Sequence, residues 1–211
     1  MQIAIIGSGN VGRALASSTT RAGHQVLLSA AHPEHAQSAA EATGARAASS
    51  NHEAIASADV VILAVPYQAV EATLAEVSDA LNGKVVIDPT NRVNPSDPAS
   101  VLDGTSSAER IQARVPGARV VKAFNTAFAS RQANPVMDGT AADGYVAGDD
   151  QDAKTTVLEL VGSLGFTPVD VGPLVMARVL EGMALLSITY QIRNQGAWQA
   201  AWKMIDPTPS S

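Results

Sequence analysis

The chain has 211 residues, of which 46% are hydrophobic and only 16% are charged, and its formal net charge is -6. An acidic chain without a dense basic stripe is a poor partner for nucleic acid or for an anionic membrane surface, so we expect neither. The absence of cysteine excludes disulfides, thiolate chemistry and a cysteine zinc site. Because no apolar run reaches membrane-spanning length, we expect a globular cytoplasmic protein.

The most informative stretch is the start of the chain. An apolar run of strand length, residues 3–6, leads into Gly7, Gly9 and Gly12 with the spacing G-x-G-x-x-G, and apolar residues at helical spacing follow. In this pattern the first glycine takes a tight turn, the second lets the backbone approach a diphosphate, and the third lets helix and strand pack closely. The helix N-terminus then favours the negative charge of the ligand. The pattern predicts dinucleotide binding; a glycine turn with only a packing role is the alternative.

Strands and helices alternate after this turn. Apolar runs of strand length are separated by helical segments, which include residues 10–21 and 33–43. The run at residues 58–66 is almost continuously apolar, as expected for a parallel strand that is buried on both faces. The order predicts an α/β fold with a doubly wound, mostly parallel Rossmann sheet.

Polar and aromatic residues follow several predicted strands, and the carboxyl ends of parallel strands meet at one edge of the sheet beside the glycine turn. Tyr67 follows Pro66 at one strand end, where it either stacks on the cofactor or merely covers the next helix. Thr90 and Asn91 follow another strand, and small polar groups there can reach the ribose or carboxamide of a nicotinamide. These residues are therefore candidates for the cofactor site.

The loop after the second predicted strand bears on the choice between NADP and NAD. A carboxylate at this strand end prefers a ribose 2′-hydroxyl, whereas Ser or Arg prefers a 2′-phosphate. Here the strand ends at Ser29, and no acidic residue stands beside it. The Ser29 hydroxyl can donate to a phosphate, and His32 can add charge near one, although His32 can equally be a solvated residue at the start of a helix. NADP is therefore favoured over NAD.

The last part of the chain differs in kind. Residues 174–205 form a largely apolar stretch with a helical pattern, interrupted by Gly182 and Gly196, and with Trp198 and Trp202 on one face. Such a stretch either packs back on the sheet or pairs with a second copy, and the patch favours a homodimer. We expect the following organisation: a dinucleotide-binding domain at 1–172, a helical region at 173–205 that completes the substrate cleft, and a frayed tail at 206–211. Residues 93–107, rich in Pro, Ser, Asp and Gly, are expected to form a surface loop.

Several motifs, taken in order, resemble one family. Besides the glycine turn they are Ala22-Gly23-His24, Val65-Pro66-Tyr67, Val121-Lys122-Ala123-Phe124-Asn125-Thr126, Gly148-Asp149-Asp150 and Asp170-Val171-Gly172-Pro173-Leu174. The set resembles the NADP oxidoreductases that depend on coenzyme F420, whose fold is similar to the cytosolic domain of the six-transmembrane metalloreductases. The resemblance implies a Rossmann domain that binds NADP(H) and exchanges a hydride with a second redox cofactor such as coenzyme F420. Two departures from the family, described below, leave a flavin, a quinone or a small carbonyl compound as alternative partners.

The resemblance also implies the binding residues. These are Gly7, Ser8, Gly9, Asn10 and Val11 at the diphosphate, Ser29 at the 2′-phosphate, Val65, Pro66 and Tyr67 in the wall, and Asn125 and Ala127 beside the site of hydride transfer. Because the two rings exchange the hydride directly, no catalytic acid or base is implied, and no residue set has metal-ligand spacing. Two positions depart from the family: Ala30 stands where the family has arginine, and Asn125 where the deazaflavin reductases have histidine. A redox sensor that binds NADP(H) without turnover is the alternative function.

Overall fold

A computed structural model of the protein describes residues 1–97, 99 and 104–205. The strands in this part of the chain are β1 (Gln2–Ile6), β2 (Gln25–Ser29), β3 (Arg46–Ala47), β4 (Val60–Leu63), β5 (Val85–Asp88), β6 (Arg119–Lys122), β7 (Val136–Met137), β8 (Thr140–Ala141), β9 (Asp143–Gly148) and β10 (Thr167–Asp170). The helices are α1 (Asn10–Arg21), α2 (Pro33–Thr43), α3 (Asn51–Ala56), α4 (Tyr67–Val77), α5 (Ser107–Arg114), α6 (Ala129–Ala133), α7 (Gln151–Ser163) and α8 (Ala177–Arg193), and a 3₁₀ turn at Leu174–Met176 precedes α8.

Eight of the described strands form one sheet in the order β10-β9-β6-β5-β4-β1-β2-β3. Neighbouring strands are parallel except for β6 and β9, which are antiparallel, and β7 pairs with β8 in a separate hairpin. From β1 the chain first extends the sheet through β2 and β3 and then returns to add β4 on the other side. The strand order therefore reverses beside β1, and ligands bind at such a switch point. The predicted doubly wound, mostly parallel Rossmann fold is confirmed.

The core lies on both faces of the sheet because the side chains of each strand alternate between them. In β1, Ile3 and Ile5 belong to the apolar cluster on one face, and Ala4 and Ile6 belong to the cluster on the other. All four side chains are buried, as are all residues of β4 (Val60–Leu63). Burial on both faces explains why these strands are continuously apolar in sequence.

Local signals set the bounds of the first two helices, which agree with the prediction to the residue. Pro33 occupies the first position of α2, where its missing N–H costs no hydrogen bond. Gly44 ends the same helix in the left-handed conformation at φ 72°. The sequence of α2 therefore has proline where its N-terminus tolerates a missing N–H, and glycine where its C-terminus adopts a left-handed conformation.

The prediction of a helical stretch across residues 174–205, interrupted by Gly182 and Gly196, is wrong beyond Arg193, where α8 ends, and wrong at Gly182, which lies inside α8. The N–H of Gly196 donates to the carbonyl oxygen of Gln191 at 2.9 Å, and the N–H of Gln195 donates to that of Ile192 at 3.4 Å. With Gln195 at φ 50°, this is a Schellman end, in which glutamine occupies the left-handed position that glycine usually takes. The apolar pattern continues past this end, so periodicity alone does not reveal it.

Residues 194–205 form an irregular segment, here called the C-terminal strap. The indole N–H of Trp202 donates to the hydroxyl of Ser187 at 2.8 Å, and the backbone N–H of Asp143 donates to the carbonyl oxygen of Trp202 at 2.9 Å. The ring of Trp198 meets that of Phe128 edge-on, with centroids 5.3 Å apart. Trp198 and Trp202 thus do not share a helix face, and the strap packs back on the sheet domain.

Some expectations fall outside the described residues. The frayed tail at 206–211 lies entirely outside them, and the loop at 93–107 lies partly outside. In the described part of the chain, none of the helices is both long enough and apolar enough to cross a membrane.

Candidate active site

The glycine turn between β1 and α1 combines two glycines that packing requires with one that faces open space. Gly7 has φ +114°, and a Cβ there would lie 2.4 Å from the carbonyl oxygen of Ala64. A Cβ on Gly12 would lie 1.9 Å from the carbonyl oxygen of Gly7, whereas a Cβ on Gly9 would meet nothing within 4 Å. Because Gly7 and Gly12 have no side chains, β1 and α1 can pack closely at this turn. Gly9 leaves room for a ligand against the backbone.

The N-terminus of α1 suits an anion. Its N-cap residue is Gly9, which has no side chain to cap the first backbone N–H groups, and its first turn carries no acidic residue. The guanidinium Nε of Arg13 donates to the carbonyl oxygen of Ser8 at 3.1 Å and so braces the turn. The helix dipole and the uncapped N–H groups therefore favour a negatively charged group at this end, as a dinucleotide diphosphate would provide.

A cleft of about 290 Å³ lies beside this turn. Three segments line it: the turn itself, the chain after β4, and the chain after β5. The sequence-predicted residues among its lining are Gly9, Asn10, Val11, Val65, Pro66, Tyr67, Thr90 and Asn91. The carboxyl ends of neighbouring parallel strands thus bring these residues together, as their positions in sequence indicate.

A second cavity of about 140 Å³ continues from the cleft, because Val11, Pro89 and Asn91 line both. Asn125 and Ala127, both predicted from sequence, line it from the loop after β6. The lining residues that the sequence did not reveal are Thr126, Phe128, Gln132, Ala184, Ser187 and Ile188. Phe128 and Gln132 lie beside and on α6, which is too short to show a periodic pattern. Ala184, Ser187 and Ile188 lie on α8, where apolar residues occur on all sides and so do not show which face lines a cavity.

Tyr67 occupies a position consistent with both of its predicted roles. It begins α4 and is half-buried in the wall of the cleft. It also packs against the apolar cluster beneath α4. It is therefore both a wall residue and a cover for its own helix.

Ser29 and His32 line neither of these two cavities. Ser29 is fully buried, and its hydroxyl donates to the side-chain oxygen of Asn51 at 2.7 Å. His32 is the N-cap residue of α2, and its exposed ring lies 3.9 Å from the carboxylate of Glu34 and edge-on to the ring of His35. Recognition of a 2′-phosphate by these two residues stays a prediction.

A buried ionic network adjoins the first cleft through Thr90, which lines that cleft and accepts a hydrogen bond from the network. The Nζ of Lys122 is 2.9 Å from a carboxylate oxygen of Asp88 and 2.9 Å from one of Glu181. It also donates to the hydroxyl of Ser107 at 2.8 Å and to the carbonyl oxygen of Thr90 at 2.5 Å. Lys122 and Asp88 are completely buried, and only 2% of the Glu181 side chain is exposed. Charges removed from water in this way need partners with good geometry, and here each has them.

The network joins the three chain segments that form the cavity walls. Asp88, Lys122 and Glu181 each stand three residues before a lining residue; those lining residues are, in the same order, Asn91, Asn125 and Ala184. The network therefore fixes the ends of β5 and β6 against α8, which sets the distance between the cavity walls.

A second ion pair holds the start of α8. Both carboxylate oxygens of Glu109, on α5, accept hydrogen bonds from the guanidinium of Arg178, at 2.9 Å from Nε and 2.6 Å from Nη2. The Glu109 carboxylate also accepts from the backbone N–H of Ser106 as part of a capping box. The hydrogen bonds from Arg178, followed by those from Ser106, lower the pKa of Glu109 to about 2, although partial burial opposes them. Glu109 is therefore ionised at neutral pH and anchors α8.

A glycine turn at the switch point of a doubly wound sheet, with a helix N-terminus that suits an anion and a two-part cleft, defines a dinucleotide-binding protein of the Rossmann class. Residues 2–92 match the family model for the coenzyme F420-dependent NADP oxidoreductases. The F420-dependent NADP reductase of Methanothermobacter thermautotrophicus is 36% identical over 92% of this chain and 91% of its own length. The chain belongs to the coenzyme F420-dependent NADP oxidoreductase family.

Two further comparisons extend this result. Metalloreductase STEAP3 of Rattus norvegicus is 32% identical over 87% of this chain, but the match spans only 36% of that larger protein. A crystal structure of a candidate F420-dependent NADP reductase from Arthrobacter sp. FB24 superposes with a TM-score of 0.83 at 26% identity, covering 98% of this chain and 100% of that one. The family resemblance found in the sequence is confirmed, and with it the interpretation as an NAD(P)-dependent oxidoreductase.

Proposed function

We propose that the protein transfers a hydride between NADP(H), held at the glycine turn, and coenzyme F420, held against the second cavity. The observation that supports this most strongly is the open space at Gly9 beside the uncapped N-terminus of α1. The cleft at this point continues into the second cavity, whose other walls come from the loop after β6 and from α8. The first half suits a dinucleotide, and the second leaves room for a partner ring. The relatives named as F420-dependent NADP reductases supply the acceptor class.

Each wall has its own task in this proposal. NADP(H), when bound, supplies the hydride that its nicotinamide ring carries. The backbone of residues 8–11 binds the diphosphate, and Val65, Pro66 and Tyr67 form the wall beside the bound nucleotide. Thr90 and Asn91 orient the ribose and carboxamide end. Ala184 and Ile188 of α8 exclude water from the second cavity. Direct hydride transfer needs positioning and a dry site, so no side chain acts as acid or base.

NADP rather than NAD is the proposed nucleotide. No carboxylate stands at the end of β2 to hold a ribose 2′-hydroxyl, and the exposed His32 lies just beyond it. For Ser29 to meet a 2′-phosphate, its hydroxyl would have to leave Asn51, to which it donates here. Titration with NADPH and NADH measures this preference directly.

We further propose the two-part organisation expected from sequence, with nucleotide binding in residues 1–172 and closure of the substrate cleft by residues 173–205. One face of α8 leaves Val179, Leu186 and Tyr190 more than half exposed, at 53%, 58% and 58%. Large apolar side chains grouped in this way fit a homodimer in which two copies of α8 pack together. Leu186→Glu should then shift the sedimentation of the protein from dimer to monomer; an unchanged coefficient would refute this interface.

The function is tested by titrating the protein with NADPH and NADH, and then following NADPH oxidation in the presence of F420 and, separately, of a free flavin. We expect tighter binding of NADPH and rapid reduction of F420. Rapid turnover with flavin alone would move the acceptor to that class. Nucleotide binding without turnover on either acceptor would refute the proposed reaction.

A further inference from the structure

Two buried amide oxygens have no hydrogen-bond partner among the described residues, and both belong to residues that line the second cavity. They are Oδ1 of Asn125 and Oε1 of Gln132. Asn125 is 4% exposed and Gln132 is 1% exposed. A buried carbonyl oxygen without a donor is costly, and native structures rarely tolerate one without a reason.

The orientation of each amide is fixed by its other end. The Nε2 of Gln132 donates to the carbonyl oxygens of Phe124 and Ala127, at 3.0 and 3.1 Å. Backbone carbonyls only accept, so a flipped amide would place its oxygen against two other oxygens. The Nδ2 of Asn91 donates to the carbonyl oxygen of Asn125, which leaves Asn91 Oδ1 to accept from Asn125 Nδ2 at 2.9 Å. Both unpaired atoms are therefore acceptors.

The rest of the lining limits what can supply the donor. Val11, Pro89, Phe128, Ala184 and Ile188 make much of the wall apolar, and no charged side chain of the described residues is in it. The cavity, at about 140 Å³, suits a small flat group rather than a long chain. A neutral planar ring that carries an N–H at its edge matches both the walls and the unpaired oxygens.

We propose that Gln132, together with Asn125, determines specificity by accepting hydrogen bonds from an amide-type N–H on a planar redox ring. This inference rests on the proposed function, which supplies two such groups: the carboxamide of nicotinamide and the ring lactam of the deazaflavin. Both present the same donor chemistry. Gln132 is thus a binding residue in addition to pinning the chain between Phe124 and Ala127.

The test changes the ligand before it changes the protein. In the first arm, calorimetry compares NADP⁺ with its 3-acetylpyridine analogue, in which a methyl group replaces the amino group of the carboxamide. In the second arm, binding of F420 in the presence of NADP⁺ is compared with that of a deazaflavin methylated at its lactam nitrogen. We expect one arm to show a loss of about 10- to 100-fold in affinity, the range for a hydrogen bond to an otherwise unpaired buried group.

Two variants assign the effect to Gln132. Gln132→Met keeps the length of the side chain but removes the acceptor. In the arm where the unmodified protein discriminates, the affinities of this variant for the natural ligand and for its analogue should lie within about threefold of each other. Gln191→Met is the matched control, because Gln191 is a buried amide on α8 that does not line the cavity and accepts from the backbone N–H of Trp198 at 2.7 Å. The control should keep the full discrimination.

Each outcome is decisive. Loss in the first arm assigns the donor to nicotinamide, and loss in the second arm assigns it to the acceptor. Tight binding without discrimination in either arm of the unmodified protein overturns the inference but leaves the proposed function standing. Discrimination that survives Gln132→Met overturns the role of Gln132. Failure to bind NADP⁺ at all removes both the inference and the proposed function.

Discussion

The glycine turn allows the same change, glycine to alanine, to be compared at two sites where the added methyl group meets very different surroundings. Gly9→Ala places a Cβ in open space, whereas Gly12→Ala places it 1.9 Å from the carbonyl oxygen of Gly7. Gly9 has φ -72° and ψ -169°, a conformation open to any L-residue. We therefore expect Gly9→Ala to abolish tight nucleotide binding with little change in stability, and Gly12→Ala to damage the fold.

The magnitudes follow from the neighbours. At Gly12 the clashing atom is backbone, which no side-chain rotation can relieve, so the free energy of unfolding should fall by about 3 kcal/mol or more. At Gly9 the methyl group would keep a diphosphate from the backbone N–H groups. The loss of two hydrogen bonds to a charged ligand, at about 1.5 to 3 kcal/mol each, weakens NADPH binding by about 10²- to 10⁴-fold.

Two measurements on each variant check the comparison: urea unfolding for stability and calorimetric titration with NADPH for binding. Native-like stability with at least a hundredfold weaker binding is expected of Gly9→Ala. NADPH affinity within about threefold of the unmodified protein would refute the placement of the diphosphate at Gly9. A Gly12→Ala variant as stable as the unmodified protein would refute the packing role assigned to Gly12.

Three further predictions concern charge. Ala30→Arg introduces the arginine that the family resemblance implies after Ser29 and should tighten NADPH binding by about 1 to 2 kcal/mol in a titration while leaving NADH unchanged; equal effects on both would show that the 2′-phosphate lies elsewhere. Lys122→Met leaves two buried carboxylates without their cation and should lower the free energy of urea unfolding by about 3 to 5 kcal/mol, part of which Glu181→Gln in the same chain should restore. Glu109→Gln keeps the capping box but loses the charge; because folding lowers the pKa of Glu109 from 4.5 to about 2, its contribution is present above pH 4.5 and is lost as the pH falls through 2. Thermal melts should therefore show the variant less stable by about 1 to 2 kcal/mol at pH 7, a figure reduced for the exposure of Arg178, and equal to the unmodified protein near pH 2.

The parts of the fold that the sequence predicts well are those governed by neighbouring residues. The bounds of α1 and α2 follow from glycine and proline at their ends, and the turn at residues 7–12 carries its own geometry. The lining of the larger cleft was predictable for a related reason. Residues that follow parallel strands must lie at the same edge of the sheet, so Val65, Thr90 and Asn91 could be grouped before any distance was known.

What the sequence did not reveal depends on contacts between distant segments. Gln132 reads as an ordinary polar residue of a short segment, and only packing buries it in the wall of a cavity and leaves its side-chain oxygen without a partner. Gly196 marks an interruption in the sequence but not the end of α8, because Gln195, rather than glycine, takes the left-handed position, while the apolar residues beyond it mimic a continuing helix. The partner of Lys122 on α8, Glu181, lies 59 positions further along the chain, and no local pattern links the two.

The two halves of the site therefore have different physical origins, and substitutions in them should have different effects. The nucleotide half is made by a turn whose conformation is set within a few residues, so changes there alter binding through the backbone itself. The acceptor half is assembled by α8, which two long-range ion pairs help to hold in place, Lys122–Glu181 against β6 and Arg178–Glu109 against α5. Changes at Ala184 or Ile188 can reshape that half without moving the turn. A family built in this way can exchange its acceptor while keeping its nucleotide.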